Sequence, residues 1–143
     1  MQAQNYQNHR RMVPLFHYFL WLLILACLAV SVRMVYKNWN NEWRNLSILL
    51  TAISVAILLS AWFLRVFALK AQDRAIRAEE NLRHFALTGK LLDHRLKIGQ
   101  VVALRFASDT EFLLLSQKAA DENLAPDAIK KSIVNWKEDH DRA

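Results

Sequence analysis

The sequence predicts an all-α integral membrane protein: a helical hairpin whose long second helix extends into the cytoplasm and is followed by a small helical C-terminal module. Three observations point to this class. Residues 15–32 (LFHYFLWLLILACLAVSV) and 45–64 (NLSILLTAISVAILLSAWFL) are uncharged apolar runs of 18 and 20 residues. No Gly or Pro interrupts the chain between Pro14 and Gly89. Beyond Gly89 the sequence breaks into short amphipathic pieces. Hydrophobic residues make up 54% of the chain, yet its mean hydropathy is only +0.05, so apolar and polar residues are segregated into blocks.

At about 1.5 Å per residue, either run crosses a hydrocarbon core of about 30 Å as a helix. The expected organisation is an N-terminal segment over 1–13, a transmembrane hairpin over 14–64 with spans at about 14–33 and 45–64, a juxtamembrane extension over 65–88, and a module over 89–143. His9-Arg10-Arg11 before an apolar run, with Ile24-Leu25-Ala26-Cys27 inside it, has some features of a signal or lipoprotein sequence. Leu25 is too bulky for the usual cleavage box, however, and Cys27 is followed by further apolar residues. A single cysteine forms no internal disulfide and requires no oxidising compartment.

Basic residues near the spans set the orientation. The connector holds Arg33, Lys37 and Arg44; the other side holds Arg10, Arg11, Arg65, Lys70, Arg74, Arg77 and Arg83, seven against three. Both termini are therefore expected in the cytoplasm. Tyr36, Trp39 and Trp43 then fall at the outer interface, and Tyr18, Trp21 and Trp62 at the inner one. Neither span contains Asp, Glu, Lys or Arg, which argues against a proton relay or ion-coupled transporter. His17, near Pro14, reads as an interfacial residue. Ala52, Ala56 and Ser60 recur every four residues beside a stripe of Ser47, Thr51 and Ser54, and such small residues let helices approach closely. The first span is the simplest partner for them, with a second copy of the chain as the alternative.

The extension is expected to continue the second helix to Thr88, with Gly89 as its C-terminal cap. Asp73 with Arg77, Glu79 with Arg83 and Glu80 with His84 have the acid-before-base spacing that supports a helix. Leu64, Ala68, Ala71, Ala75, Ala78, Leu82 and Phe85 alternate in steps of four and three, the repeat of a coiled-coil seam. Four alanine layers make this seam thin, so it needs a closely packed partner. The expected partner is the chain's own later helices, with self-association as the alternative.

Residues 101–115 (VVALRFASDTEFLLL) resemble a third span only superficially, because Arg105 and the run Ser108-Asp109-Thr110-Glu111 divide them. Ser108 and Glu111 have the spacing of a capping box. Three short helices are expected, at about 96–107, 109–122 and 126–136, with Pro126 at the first position of the last. Leu104, Phe106, Phe112, Leu115, Leu124, Ile129, Ile133 and Trp136 form their candidate core. Residues 65–105 carry a net charge of +5 and 106–143 a net charge of −3. Anionic inner-leaflet lipids account for the membrane-proximal positive charge without nucleic acid.

The stretches QNYQNHRRMVPLFH, LRVFALKAQDRAIRAEENLRHFALTGK, GQVVALRFASDTEF and IKKSIVNW resemble a family of small bacterial two-span membrane proteins classed as a domain of unknown function. The resemblance covers nearly the whole chain, and ALRFASD is its most specific run. It implies an integral protein of the bacterial inner membrane, and brings with it no activity, catalytic residue or cofactor.

No catalytic constellation stands out. His9, His17, His84, His94 and His140 are scattered without metal-site spacing, Asp139-His140-Asp141 lies in the tail, and Gly89 and Gly99 make no phosphate loop. No cofactor or metal is expected. The leading expectation is a non-enzymatic membrane adaptor or assembly protein whose module binds a second copy or another membrane protein. Gln100, Arg105, Ser108, Asp109 and Glu111 surround the module's central turn as a candidate polar network. The alternative is a homo-oligomeric pore lined by Ser47, Thr51 and Ser54, without charge to set its selectivity.

Overall fold

A computed structural model describes residues 4–8 and 12–139. Their secondary structure is a π-helical turn and five α-helices, and the chain divides into two compact units.

The first unit is Met12–Phe67. Pro14 opens a π-helical turn, Leu15–Leu20, which leads into α1, Trp21–Lys37. α1 closes at Asn38, whose N–H donates to the Met34 carbonyl. The turn to α2, Arg44–Thr88, is held by asparagines. Asn41 accepts the Trp43 N–H at 2.9 Å, and its amide donates to Asn38. The Asn38 amide then donates to the Ser47 hydroxyl at 3.0 Å, joining the two helices across the turn. Ile24 and Ser31 are buried on α1, and Ser47 is buried on α2 with Thr51 and Ser54 half-buried along the same side. At the other end the Arg65 guanidinium lies over the Phe16 ring. Leu15–Lys37 and Arg44–Thr88 are each long and apolar enough to cross a membrane.

α2 is unbroken for 45 residues. It ends where Gly89, at φ 71°, adopts the left-handed conformation of a helix terminus. Residues 68–88 of this helix belong to the second unit, together with α3 (Ile98–Leu104), α4 (Asp109–Asp121) and α5 (Pro126–Ser132). Leu104, Phe106, Phe112 and Ile129 are fully buried in its core, with Leu115 and Ile133 beside them and Leu124 and Trp136 at the edge. α3 packs on α5 with Gly99 at the contact, where a Cβ would stand 3.2 Å from the Pro126 ring. Gln4 and Tyr6 are tied to the second unit. Gln4 exchanges two hydrogen bonds with the Asp139 backbone, and the Tyr6 hydroxyl donates to Asp127 at 2.6 Å.

The expected helices are present but shorter. α3 starts at Ile98, and α5 stops at Ser132 rather than reaching Trp136. The chain after α5 is extended because other groups take its backbone hydrogen bonds. Ser108 N–H donates to the Asn135 carbonyl, and Lys137 N–H to that of Phe106. Trp136 is thereby laid against Phe106, with ring centroids 5.1 Å apart.

Truncating a fully buried phenylalanine costs about 3–5 kcal/mol, because the cavity adds to the lost transfer energy. Phe106→Ala is expected to remove hydrogen-exchange protection from 96–136 while leaving that of 21–37 unchanged. Retained protection over 96–136 would contradict this core.

Candidate functional site

The second unit is organised by residues 72–84 of α2. Ile76 and Glu80 are buried, with Gln72, Arg83 and His84 half-buried on the same side. Arg83 is the centre of this side. Its guanidinium donates to Glu80 at 3.1 Å, to Asp109 at 2.7 Å and to the Ala107 carbonyl at 2.7 Å, and lies 4.3 Å from the centroid of the Phe112 ring. These contacts satisfy the fork of donors in one plane while the ring covers its face. One turn away, Arg77 donates to the Leu96 carbonyl, Asn81 accepts the Leu92 N–H, and His84 packs edge-on to Phe112.

These contacts replace the helix pairs expected from spacing. Arg77 is taken by Leu96, Arg83 by Glu80 and Asp109, and His84 by the Lys90 carbonyl at 2.7 Å. Once the module lies against α2, its carbonyls and the Asp109 carboxylate come within hydrogen-bonding reach of these side chains.

Beside Arg83, a cavity of about 280 Å³ is lined by Gln72, Ala75, Ile76, Glu79, Glu80, Arg105, Lys137, Glu138 and Asp139. Arg105 is buried, and its Nε lies 3.1 Å from an Asp139 carboxylate oxygen. Burial raises the Glu80 carboxyl above its ordinary value of 4.5, and the Arg83 charge partly offsets this. On the outer surface the opposite shift occurs. Hydrogen bonds from Arg95 hold Asp93 at about 2, and Arg95 also reaches Asp121. The cavity joins four carboxylates to two cations, a composition suited to hydrated ion pairing. Among the described residues, no group of three or more His, Cys, Asp or Glu is arranged to hold a metal.

The five residues of the expected polar network do not converge. Gln100 starts α3 by accepting the Lys97 N–H and donates to the Leu124 carbonyl. Arg105 faces Asp139, and Asp109 binds Arg83. Ser108 stands at the N-terminus of α4 but forms no capping box: its hydroxyl meets Thr110, while Glu111 accepts hydrogen bonds from Val134 and Asn135. Gln100, Arg105, Asp109 and Glu111 thus act as separate anchors, and the Ser108 contact is local. Glu80 and Arg83 were missed as a site because their charges read as the outside of a heptad.

The seam residues have the reverse fate. Ala68, Ala71, Ala75 and Ala78 are exposed, as are Leu64, Leu82 and Phe85. Leu82 is 68% exposed. The later helices do fold back onto α2, but they pack on the Ile76, Glu80 and Arg83 side instead of on this seam. In the hairpin, the Ser47, Thr51 and Ser54 hydroxyls donate to the Trp43, Ser47 and Leu50 carbonyls on the packed side. Ala52, Ala56 and Ser60 are exposed and do not serve as the close-approach stripe to α1. His17 turns to the Val13 backbone, with Nδ1 at 3.0 Å from its carbonyl oxygen. His9, Arg10, Arg11, His140 and Asp141 lie outside the described residues.

Fold and site together define an all-helical hairpin protein whose long second helix carries a folded polar module on one side. The chain belongs to a family of unknown function, DUF6526, whose model matches residues 1–143. No curated protein and no solved structure matches it.

Arg83 and Glu80 side chains are only 11% and 7% exposed, so removing one partner strands the other. Arg83→Ala is expected to destabilise the module by about 3–5 kcal/mol in denaturant unfolding, with partial recovery in the Arg83→Ala/Glu80→Leu pair. Equal stability of single variant and wild type would contradict the buried layer. Glu80 also gives a pH signature. Its raised folded value contributes stability that is complete below 4.5 and lost as pH rises through that folded value. Glu80→Gln is expected to flatten the stability profile from about pH 4.5 to neutrality, and an unaltered profile would exclude this titration.

Proposed function

We propose that the protein is a non-enzymatic membrane adaptor or assembly protein. Its hairpin anchors it in the bacterial inner membrane with both termini in the cytoplasm, and the extension of α2 offers an interaction face. Support for the anchor comes from two helices of sufficient length and apolarity and from the excess of basic residues outside the connector. Of the basic residues in 65–105, Arg77, Arg83, Arg95 and Arg105 are engaged within the second unit, and the exposed Lys70 suits the anionic headgroups next to that anchor.

The observation that carries the adaptor reading is the two-sidedness of residues 68–88. One side is used to hold the chain's own module. The other leaves Leu82 and Phe85 68% and 50% exposed beyond a strip of alanines. Apolar side chains aligned on one face of a helix mark an interaction surface when nothing within the chain covers them. The hairpin supplies no charged group at mid-depth for transport, and its hydroxyls are engaged with its own backbone.

A Leu82→Asp/Phe85→Asp pair is expected to leave the module folded, because both side chains lie off its core. In native mass spectra of membrane extracts, wild-type full chain is expected to give species heavier than the single chain, and this pair of substitutions to abolish them. An unchanged set of complexes would overturn the adaptor reading.

A further inference from the structure

From Ala68 to Phe85 the open face of α2 consists of Ala68, Ala71, Ala75, Ala78, Leu82 and Phe85, all exposed and spaced in alternating steps of three and four. We infer that this face is covered by a second copy of the same chain, packed parallel and in register as a two-stranded coiled coil. The inference rests on the assembly reading above and names its partner.

Three features commit the face to that occupant. A seam repeating every 3.5 residues matches a partner helix with the same repeat, which another copy supplies at every layer. The alanine layers bring the two axes close together, and Leu82 and Phe85 add apolar area at the distal end.

Second, the charges beside the seam fit a parallel pair. With Ala75 and Ala78 as the central a and d layers, Arg74 takes the g position and Glu79 the following e position. Both are exposed, and neither belongs to an ion pair among the described residues. In a parallel pair Arg74 of each copy meets Glu79 of the other, giving two symmetry-related ion pairs. Asn81 at the next g position meets Ala86, so no like charges are opposed. An antiparallel pair instead sets Arg74 near Asn81 and Glu79 near Gln72, and loses both ion pairs.

Third, the module is centred on Ile76, Glu80 and Arg83, the b and f positions in this register, with Gln72 and Glu79 at e and Asn81 at g along its edges. The second copy therefore reaches the seam without displacing Arg83 from Glu80 and Asp109. Anchoring both copies in one membrane by the same hairpin aligns the extensions in the same direction.

The test uses the full chain carrying Cys27→Ser, reconstituted in nanodiscs, with single cysteines placed by Ala71→Cys, Ala75→Cys, Ala78→Cys, Lys70→Cys or Arg77→Cys. Mild oxidation is expected to yield homotypic disulfides from residues 71, 75 and 78 and none from 70 or 77. In native mass spectra, Arg74→Glu or Glu79→Arg alone is expected to weaken the dimer about fivefold, and the double reversal to restore it. Disulfides from 75 alone, without rescue by the double reversal, would overturn the parallel register. A monomer at all concentrations without homotypic disulfides would overturn self-association altogether. In that case, loss of a mixed complex in the Leu82→Asp/Phe85→Asp pair would leave the adaptor reading standing with a different partner, whereas no loss would remove both.

Discussion

The second unit depends on one guanidinium. Arg83 reaches from α2 to Glu80 on its own helix, to Asp109 at the start of α4 and to the carbonyl at the end of the α3 turn, with Phe112 beneath it. A buried cation needs its partners supplied in full, because an unmatched charge away from water is far costlier than a missing apolar contact. That requirement fixes the rotation of α2 against the module. It also turns the alanine seam outward, since Arg83 and the seam occupy different sides of the same helix. The exposed face is thus a consequence of how the charge is buried.

The module behaves as a small core held by directed polar ties. Its helices are short, so apolar burial alone gives it a thin margin. Gln100, Glu111 and Arg77 each fasten a backbone group of a neighbouring segment, and the Tyr6 and Gln4 contacts bind the N-terminal residues to the same unit. The hairpin follows a different logic. There the side-chain hydroxyls return to the helix backbone, and the one polar tie between helices, Asn38 to Ser47, sits beside the turn where the chain reverses.

Much of this was legible in the sequence. Hydropathy gave the two long helices, Gly89 the end of α2, Pro126 the start of α5, and the large apolar positions from Leu104 to Ile133 the bulky half of the core, whereas Leu96, Val101 and the buried Ala103, Ala107, Ala119 and Ala120 carried no such signal. What could not be read was which face of α2 the module would choose. Periodicity favoured the alanine seam, because Glu80, Arg83 and His84 look like the solvated side of a coiled coil. Tertiary contact reversed this: Asp109 and the Ala107 carbonyl, distant in sequence, make that charged side the buried one. The same blindness produced a capping box at Ser108 and Glu111, since nothing local reveals that Glu111 is claimed by Val134 and Asn135. Trp136 was placed in a helix because its backbone pairing with Ala107 is a long-range feature.

The central claim, that the face of α2 opposite Arg83 joins two copies in parallel, is tested most directly by a distance between copies. A single spin label at Lys70→Cys, on a cysteine-free full chain in nanodiscs, reports it by pulsed electron paramagnetic resonance. A parallel pair with close axes is expected to give one narrow distance on the order of 20 Å. Absence of dipolar coupling, or a broad distribution centred far beyond that, would contradict the claim.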